Sequence, residues 1–557
     1  MGIEVSIFSR SIRTVWVGAV SVAALGACVS ATTTPQDPPS PSPLSTQATT
    51  DAFSDDEFEH HDIRTTVRAG LKGISRRYIE PVDMNELALN GIRGLATIDP
   101  DLKVEIEDSE IHVHLNGKSI AEYSHPRGDK PARWADLTAN IIRDARIQSN
   151  DLYDADHERV YEAVFDGMLA GLDIFSRYSG AEEARANRAR RDGFGGIGIR
   201  FTKADNGILV TRVQDGGPAH SVGLKSGDLI LKVNAENTVG LSLRKVAQRL
   251  RGPVGSPLTL NVARLNDDDA YPDRHISFNI NRAHIVPETV HADIKNDILF
   301  MRVTGFNKKT SSSMHDILRA HDLKLKNGHT KGVVIDLRGN PGGLLSQSVS
   351  VSDLFLEQGR IIATRGRHPD SFHDYRAAGM DLIEGKPLVI LVDGDSASAA
   401  EIVASALQDL GRAVVIGSTS YGKGTVQTVI KLPNDGEITL TWSRLVSPSG
   451  YALHGLGVMP AVCATNTSAI TIDKRTTAAI LAPEHIDGQR QTMAAWREAG
   501  MIFDGRRSEL RHACPARTFK TDTNEDILVN LAGRVVHDPA LYRRAILLSE
   551  PISTASR

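Results

Sequence analysis

The sequence predicts a multidomain α/β protein, and three observations carry the prediction. Its 557 residues are too many for one ordinary core. A Pro/Ser/Thr-rich stretch separates a short apolar run from the bulk of the chain. Beyond it the texture passes from helical to strand-rich, and then to strands alternating with helices. An apolar fraction of 41% and a charged fraction of 24% belong to a globular chain rather than a disordered one. With a net charge of -4, 5% aromatics and no basic stripe among them, a nucleic-acid partner has no support.

At the N-terminus, Arg10 and Arg13 precede an apolar run over 15–27, too short for a comfortable membrane span and suited to a signal peptide over residues 1–27. The run ends Leu25-Gly26-Ala27-Cys28, which resembles a bacterial lipoprotein box. That resemblance implies lipidation of Cys28 as the new N-terminus; ordinary signal cleavage nearby is the other reading. Residues 28–55, with Pro35, Pro38, Pro39, Pro41 and Pro43, cannot bury a core and read as a tether. The expectation is a protein on the periplasmic face of the bacterial cell envelope, lipid-anchored to a membrane. Cys463 and Cys514 are the remaining cysteines. An oxidising compartment permits a disulfide between them, and two buried free thiols are the alternative.

Residues 56–189 read as a helical N-terminal domain with a hairpin near 103–123. It holds an internal echo: Gly91-Ile92-Arg93-Gly94-Leu95 and Gly167-Met168-Leu169-Ala170-Gly171-Leu172 each close an amphipathic helix, as in a duplicated unit. Residues 190–283 are strand-rich. Gly195-Gly196-Ile197-Gly198-Ile199 precedes a strand at 207–210; a short helix, a Gly227-Asp228 turn, a second strand, the helix Leu243–Leu250 and a strand at 257–263 follow. This order resembles a PDZ domain. The resemblance implies that Gly196, Ile197, Gly198 and Ile199 offer N–H groups to a terminal carboxylate beside a sheet edge that takes up an extended chain; a structural turn is the plainer reading. Residues 284–463 form an α/β core, with strands expected at 333–337, 388–393, 413–416, 425–432 and Glu437–Val446 and a helix at 399–410. Residues 464–557 are a mixed C-terminal extension without a legible role.

Three segments of the core carry chemistry. Asp395-Ser396-Ala397-Ser398-Ala399-Ala400-Glu401 follows an apolar strand and opens a helix, where N–H groups and the positive dipole end can meet an anion. Taken alone it reads as a serine helix cap. Tyr421-Gly422-Lys423-Gly424-Thr425-Val426-Gln427 sets a lysine between glycines that permit close backbone approach. A lysine serves as a base only when its surroundings make it neutral; a solvated turn lysine is the alternative. Asp336-Leu337-Arg338-Gly339-Asn340-Pro341-Gly342-Gly343 turns from a strand toward a helix.

Together these segments resemble the carboxyl-terminal processing peptidases (tail-specific proteases, family S41), over roughly residues 60–462. The resemblance implies a Ser-Lys dyad on a crotonase-like α/β core. The family spaces the two residues 25 positions apart, which fits Ser398 and Lys423 and selects Ser398 over Ser396. It further implies Gln427 as the residue orienting the lysine. The oxyanion donors would be the N–H groups of Gly342 and Ala399, with Gly343 as the substitute for Gly342, and Asp409 would be structural. Ala400 departs from the family's usual serine. The implied function is a serine endopeptidase that selects protein substrates by their C-terminal tails, without metal or cofactor. An adaptor or a homo-oligomer stays open as partner, and a catalytically silent PDZ scaffold is the rival function.

Other chemistries fit less well. Gly417-Ser418-Thr419-Ser420-Tyr421-Gly422-Lys423-Gly424 has the spacing of a phosphate-binding loop, but its last residue is not Ser/Thr and a strand follows where a helix is needed. No H-E-x-x-H and no G-x-S-x-G occurs. Glu59-His60-His61-Asp62, the densest histidine cluster, reads as a solvated helix start.

Overall fold

A computed structural model describes residues 51–264, 274–465, 483–500, 505–519 and 527–549. The signal peptide expected over 1–27, Cys28 and the tether as far as residue 50 lie outside the described residues. By its contacts the chain divides into two units, Met1–Asp55 and Asp56–Arg557, and the description below concerns the second. No described helix is long and apolar enough to cross a membrane.

The second unit begins helical. Ile63, Val67, Leu71 and Ile74 form one buried stripe. That stripe packs with the helices Met84–Arg93, Pro131–Gln148 and His157–Leu169 and a three-stranded meander (Leu102–Glu107, Glu110–Leu115, Lys118–Ser124) around Trp134 and Phe165. The glycines of the internal echo do more than close helices. A Cβ on Gly94 would stand 2.0 Å from the Ala163 carbonyl oxygen, and one on Gly167 2.3 Å from that of Asn90. The two echoed helices therefore meet backbone to backbone, which only glycine allows at these positions.

The strand-rich part has its own core, built on Ile208, Val210, Ile230, Val246, Leu258 and Leu260. Its strands run in the order Arg274–Asn281, Pro257–Arg264, Leu229–Val233, Gly207–Val213, Ile199–Ala204. The Gly-Asp turn is locked because the buried Asp228 carboxylate accepts from Lys225 N at 2.8 Å and from Arg264 at 2.6 and 2.7 Å.

The core that follows has two sheets. The larger runs Val290–Lys295, Ile298–Val303, Gly332–Asp336, Leu388–Val392, Val414–Gly417, Val462–Cys463, parallel apart from its first strand. Leu388–Val392 is buried along its whole length, as a central parallel strand covered on both faces must be. One face carries the helices Thr310–Ala320, Leu345–Asp353 and Ala399–Asp409. The other is covered by the C-terminal extension: Leu528, Leu531, Ala532 and Val535 of the helix Ile527–His537 pack on Val334, Val389, Leu391, Val414 and Ile416. The extension is thus part of the core sandwich. The smaller sheet runs His373–Arg376, Arg360–Gly366, Glu437–Val446, Thr425–Lys431, and the short strand Arg177–Ser179 pairs with Glu437–Val446.

Candidate active site

Ser398 sits at the mouth of the helix Ala399–Asp409 with φ 56° and ψ -112°, a left-handed conformation that costs a non-glycine residue energy. The turn that pays for it is tightly held. Ser396, two residues earlier, is fully buried and its hydroxyl donates to the Leu337 carbonyl at 2.9 Å, so it belongs to the framework. Ser398 is only partly buried. The N–H of Ser398 donates to Glu401 Oε2 at 2.6 Å.

Glu401 is the centre of the arrangement. It is fully buried, and besides Ser398 it accepts from Ser420 Oγ at 2.5 Å and from Gly422 N at 2.7 Å, both to Oε1. The backbone N–H of Lys423 also favours the charged form of this carboxyl. Burial pushes its carboxyl above the usual range, and these donors pull it back. One carboxylate therefore binds the backbones of the two segments that carry Ser398 and Lys423.

The Lys423 amine is half-buried, lying 5.2 Å above the Phe175 ring. Burial, and then the charge of Arg177, hold its pKa below the ordinary lysine value, while Glu401 and Asp173 oppose them. Phe175 is itself positioned by Asp173, whose Oδ1 accepts from Phe175 N at 2.8 Å and from Thr441 Oγ1 at 2.9 Å. The His454 ring meets Phe175 edge-on at 6.0 Å, and burial lowers its pKa. Asp173, Phe175, Arg177 and His454 had no signal in the sequence, because they come from segments outside the three motifs. Glu401 stood inside the first motif three residues after Ser398, the S-x-x-E spacing of a capping box, and that signal was unread.

Gln427 lies on the adjoining strand, but its Nε2 donates to Thr425 Oγ1 at 2.8 Å and Thr441 Oγ1 at 3.4 Å; among the described residues no hydrogen bond joins it to Lys423. The glycine turn reaches Ser398. A Cβ on Gly342 would stand 2.8 Å from Ser398 Cβ and 2.9 Å from Ala399 N. The Gly342 N–H, expected as an oxyanion donor, is however spent on Asn340 Oδ1 at 2.8 Å. Among the described residues no acceptor is bonded to the N–H of Gly343 or of Ala399. Asp409 accepts from Ser449 Oγ at 2.7 Å and from Arg497 at 3.2 Å, so it fastens the 447–450 turn to the helix end.

In the strand-rich part, the segment holding Gly196, Ile197, Gly198 and Ile199 leads into the edge strand Ile199–Ala204, which has one strand neighbour. Gly252 N donates to Gly195 O at 3.0 Å, which sets this loop at the C-terminal end of the helix Leu243–Leu250. Gly198 has φ 75°. A cavity of about 250 Å³ beside it is lined by Gly198, Ile199, Arg200, Arg212 and Arg251 among others. Cys463 and Cys514 are joined as a disulfide across 51 positions. No group of three or more metal-ligating side chains occurs among the described residues.

Residues 297–463 match the family model of Peptidase family S41, and residues 186–263 that of the PDZ domain. The carboxy-terminal-processing protease of Bartonella bacilliformis is 38% identical over 316 residues, 57% of this chain and 72% of that protein. The carboxy-terminal processing protease CtpA of Bacillus subtilis is 30% identical over 340 residues, 60% of this chain and 71% of that one. Among solved structures, a photosystem II D1 C-terminal processing protease aligns with 68% of this chain and 92% of its own, at 23% identity and a TM-score of 0.33. By motif, by sequence match and by its serine peptidase relatives, the chain belongs to peptidase family S41, the carboxy-terminal-processing proteases, and carries a PDZ domain.

Proposed function

We propose that the protein is a Ser-Lys endopeptidase, on a crotonase-like core, that cleaves envelope proteins chosen by their C-terminal tails. The observation that carries this reading is the shared carboxylate: Glu401 bonds the backbones of Ser398 and of the Gly422-Lys423 loop, so nucleophile and base hang from one buried support. Ser398 Oγ attacks the scissile carbonyl carbon while its proton passes to neutral Lys423. The developing oxyanion takes the N–H groups of Ala399 and Gly343, the latter in place of Gly342, whose N–H is engaged by Asn340. The lysine ammonium then gives its proton to the leaving amine. A water that Lys423 deprotonates releases the acyl group and restores Ser398. Gln427 supports this sequence with its Oε1, which can accept from the lysine amine while Nε2 is held by Thr425.

A substrate tail adds as a strand to the edge Ile199–Ala204, with its carboxylate on the N–H groups of the 196–199 loop and with Arg200 and Arg251 of the adjoining cavity supplying positive charge, Arg212 being paired there with Glu288. Leu25-Gly26-Ala27-Cys28 supports lipidation of Cys28 and residence at the periplasmic face of the envelope; Cys28→Ser should release the protein from the membrane fraction.

The decisive test is hydrolysis of an unfolded protein bearing an apolar C-terminal tail. Wild type should cleave it and Ser398→Ala should not, with circular dichroism and melting unchanged. Full activity of Ser398→Ala would refute the assignment. Tail binding by the wild type without cleavage would favour a silent scaffold instead.

A further inference from the structure

The C-terminal extension reaches the Lys423 loop through Arg511. Arg511 ends the helix Arg506–Arg511, beyond the matched peptidase segment. Its Nη2 donates to the Ser420 carbonyl at 3.1 Å and its Nη1 to the Leu456 carbonyl. The guanidinium lies in a slot that two glycines leave open. A Cβ on Gly422 would stand 3.3 Å from Nη1, and one on Gly457 3.1 Å. Ser420 is in turn the residue whose hydroxyl reaches Glu401 and receives Val458 N at 2.8 Å. Arg511 thus joins two facing loops, one of which carries Lys423, next to the carboxylate that also holds Ser398. A planar fork with fixed donors can span two carbonyls in this way, and a lysine cannot.

The segment that presents Arg511 is fastened three residues later. Cys514 is disulfide-bonded to Cys463, the last residue of the edge strand Val462–Cys463. Arg517 then donates its N–H to Ser418 Oγ at 3.0 Å, and its carbonyl accepts from Gly394 N at 2.7 Å. The helix itself has only six residues and cannot hold its position alone.

We infer that Arg511 is a positioning residue for the Lys423 loop and that the Cys463–Cys514 disulfide keeps it seated, so that full activity requires the oxidised chain. This rests on the peptidase reading above. Reduction by a dithiol adds two electrons and two protons to the disulfide, giving two thiols and a cyclised, oxidised reductant. It removes the segment's covalent anchor and changes no side chain of the Ser398 site.

The full chain is the material for the test. Arg511→Met should lower kcat on the order of tenfold to a hundredfold, the scale of a small misplacement of a reacting group, with KM little changed. It should also move the alkaline rise of the pH profile upward, because a loosened loop exposes the Lys423 amine to water. Arg511→Lys should fall between. Cys463→Ser with Cys514→Ser, and wild type treated with dithiothreitol, should reproduce the Arg511→Met profile. His512→Gln, an exposed neighbour, should match wild type. Hydrogen exchange read by mass spectrometry gives an answer independent of turnover: amides of residues 420–424 should exchange faster in Arg511→Met and in the reduced protein. Unchanged exchange there, or an unchanged pH profile with wild-type kcat, would overturn the inference and leave the peptidase reading standing. A wild type that hydrolyses nothing would defeat the peptidase reading, and the exchange rates would still decide whether Arg511 and the disulfide hold the loop.

Discussion

The N–H of Ser398 donates to the carboxylate of Glu401 at 2.6 Å, and the other oxygen of that carboxylate receives Gly422 N at 2.7 Å. A buried acid with this many donors is worth keeping only if its charge organises something, since burying it alone is unfavourable. Glu401→Gln turns one acceptor into a donor that faces an N–H. Each charge-assisted bond lost is worth about 1.5–3 kcal/mol, so the melting temperature should fall. The rate should fall by about 10²-fold, as one of the two segments drifts from register. Parallel measurement of kcat and thermal unfolding checks this, and a fully active Glu401→Gln would remove the carboxylate from the positioning scheme.

Gly342→Ala is the sharpest probe of the glycine turn. Gly342 has φ 96°, and an added methyl would meet the Ala397 carbonyl oxygen at 2.7 Å and Ser398 Cβ at 2.8 Å. The clash falls on Ser398, the proposed nucleophile, so activity should drop by roughly 10²–10³, the range seen when oxyanion geometry is lost. The sheet behind it should keep its stability. Steady-state kinetics beside a denaturation curve separates the two effects.

The pH dependence follows from the sign of the Lys423 shift. Its pKa is lowered by burial first and by Arg177 second, from the ordinary 10.5. Protonated lysine cannot accept the Ser398 proton, so activity should be absent at low pH and rise through the lowered folded-state value. Arg177→Gln removes a neighbouring positive charge, raises that value, and should move the rise to higher pH with the plateau rate retained. Because Arg177 is exposed, added salt should move the wild-type profile in the same direction. A rate profile that ignores both changes would argue against Lys423 as the base.

Legibility in the sequence followed the range of the interactions. Leu388–Val392 and Glu437–Val446 could be read within a residue because an all-apolar run and a long alternating run are local patterns. Ser398 and Lys423 stood in glycine- and serine-rich turns whose local chemistry is unusual, and the structure brings their backbones to one carboxylate. Phe175 and Arg177 were silent, because a phenylalanine and an arginine mean nothing until the strand Arg177–Ser179 is paired with Glu437–Val446, more than two hundred positions away. The occupied N–H of Gly342 closes an Asx turn, in which Asn340 Oδ1 accepts from the N–H two residues on; Asn340-Pro341-Gly342 carried that local signal and it was unread. The C-terminal extension is similar: Leu528, Leu531, Ala532, Val535 and Val536 recur at helical spacing, so a signal for a core-facing helix was present and unread.

That helix gives a last expectation. Along Leu388–Val392 the side chains alternate, with Leu388, Ile390 and Val392 facing the helix Ala399–Asp409 and Val389 and Leu391 facing Ile527–His537. The helix Ile527–His537 therefore covers the sheet face opposite to the one that seats Ser398, whereas Trp496 and Cys514 of the same extension pack on the Ser398 side. Leu531 is fully buried there, and Leu531→Ala should cost about 2–5 kcal/mol, read as a lower denaturant midpoint with the slope unchanged. At temperatures where the variant remains folded, kcat should equal that of wild type, since the lost contacts lie behind the sheet. Removing residues 527–549 altogether uncovers Val334, Val389, Leu391, Val414 and Ile416 as one apolar patch, and that protein should aggregate on expression. A soluble, cooperative truncation would mean that the peptidase core is complete without its C-terminal cover.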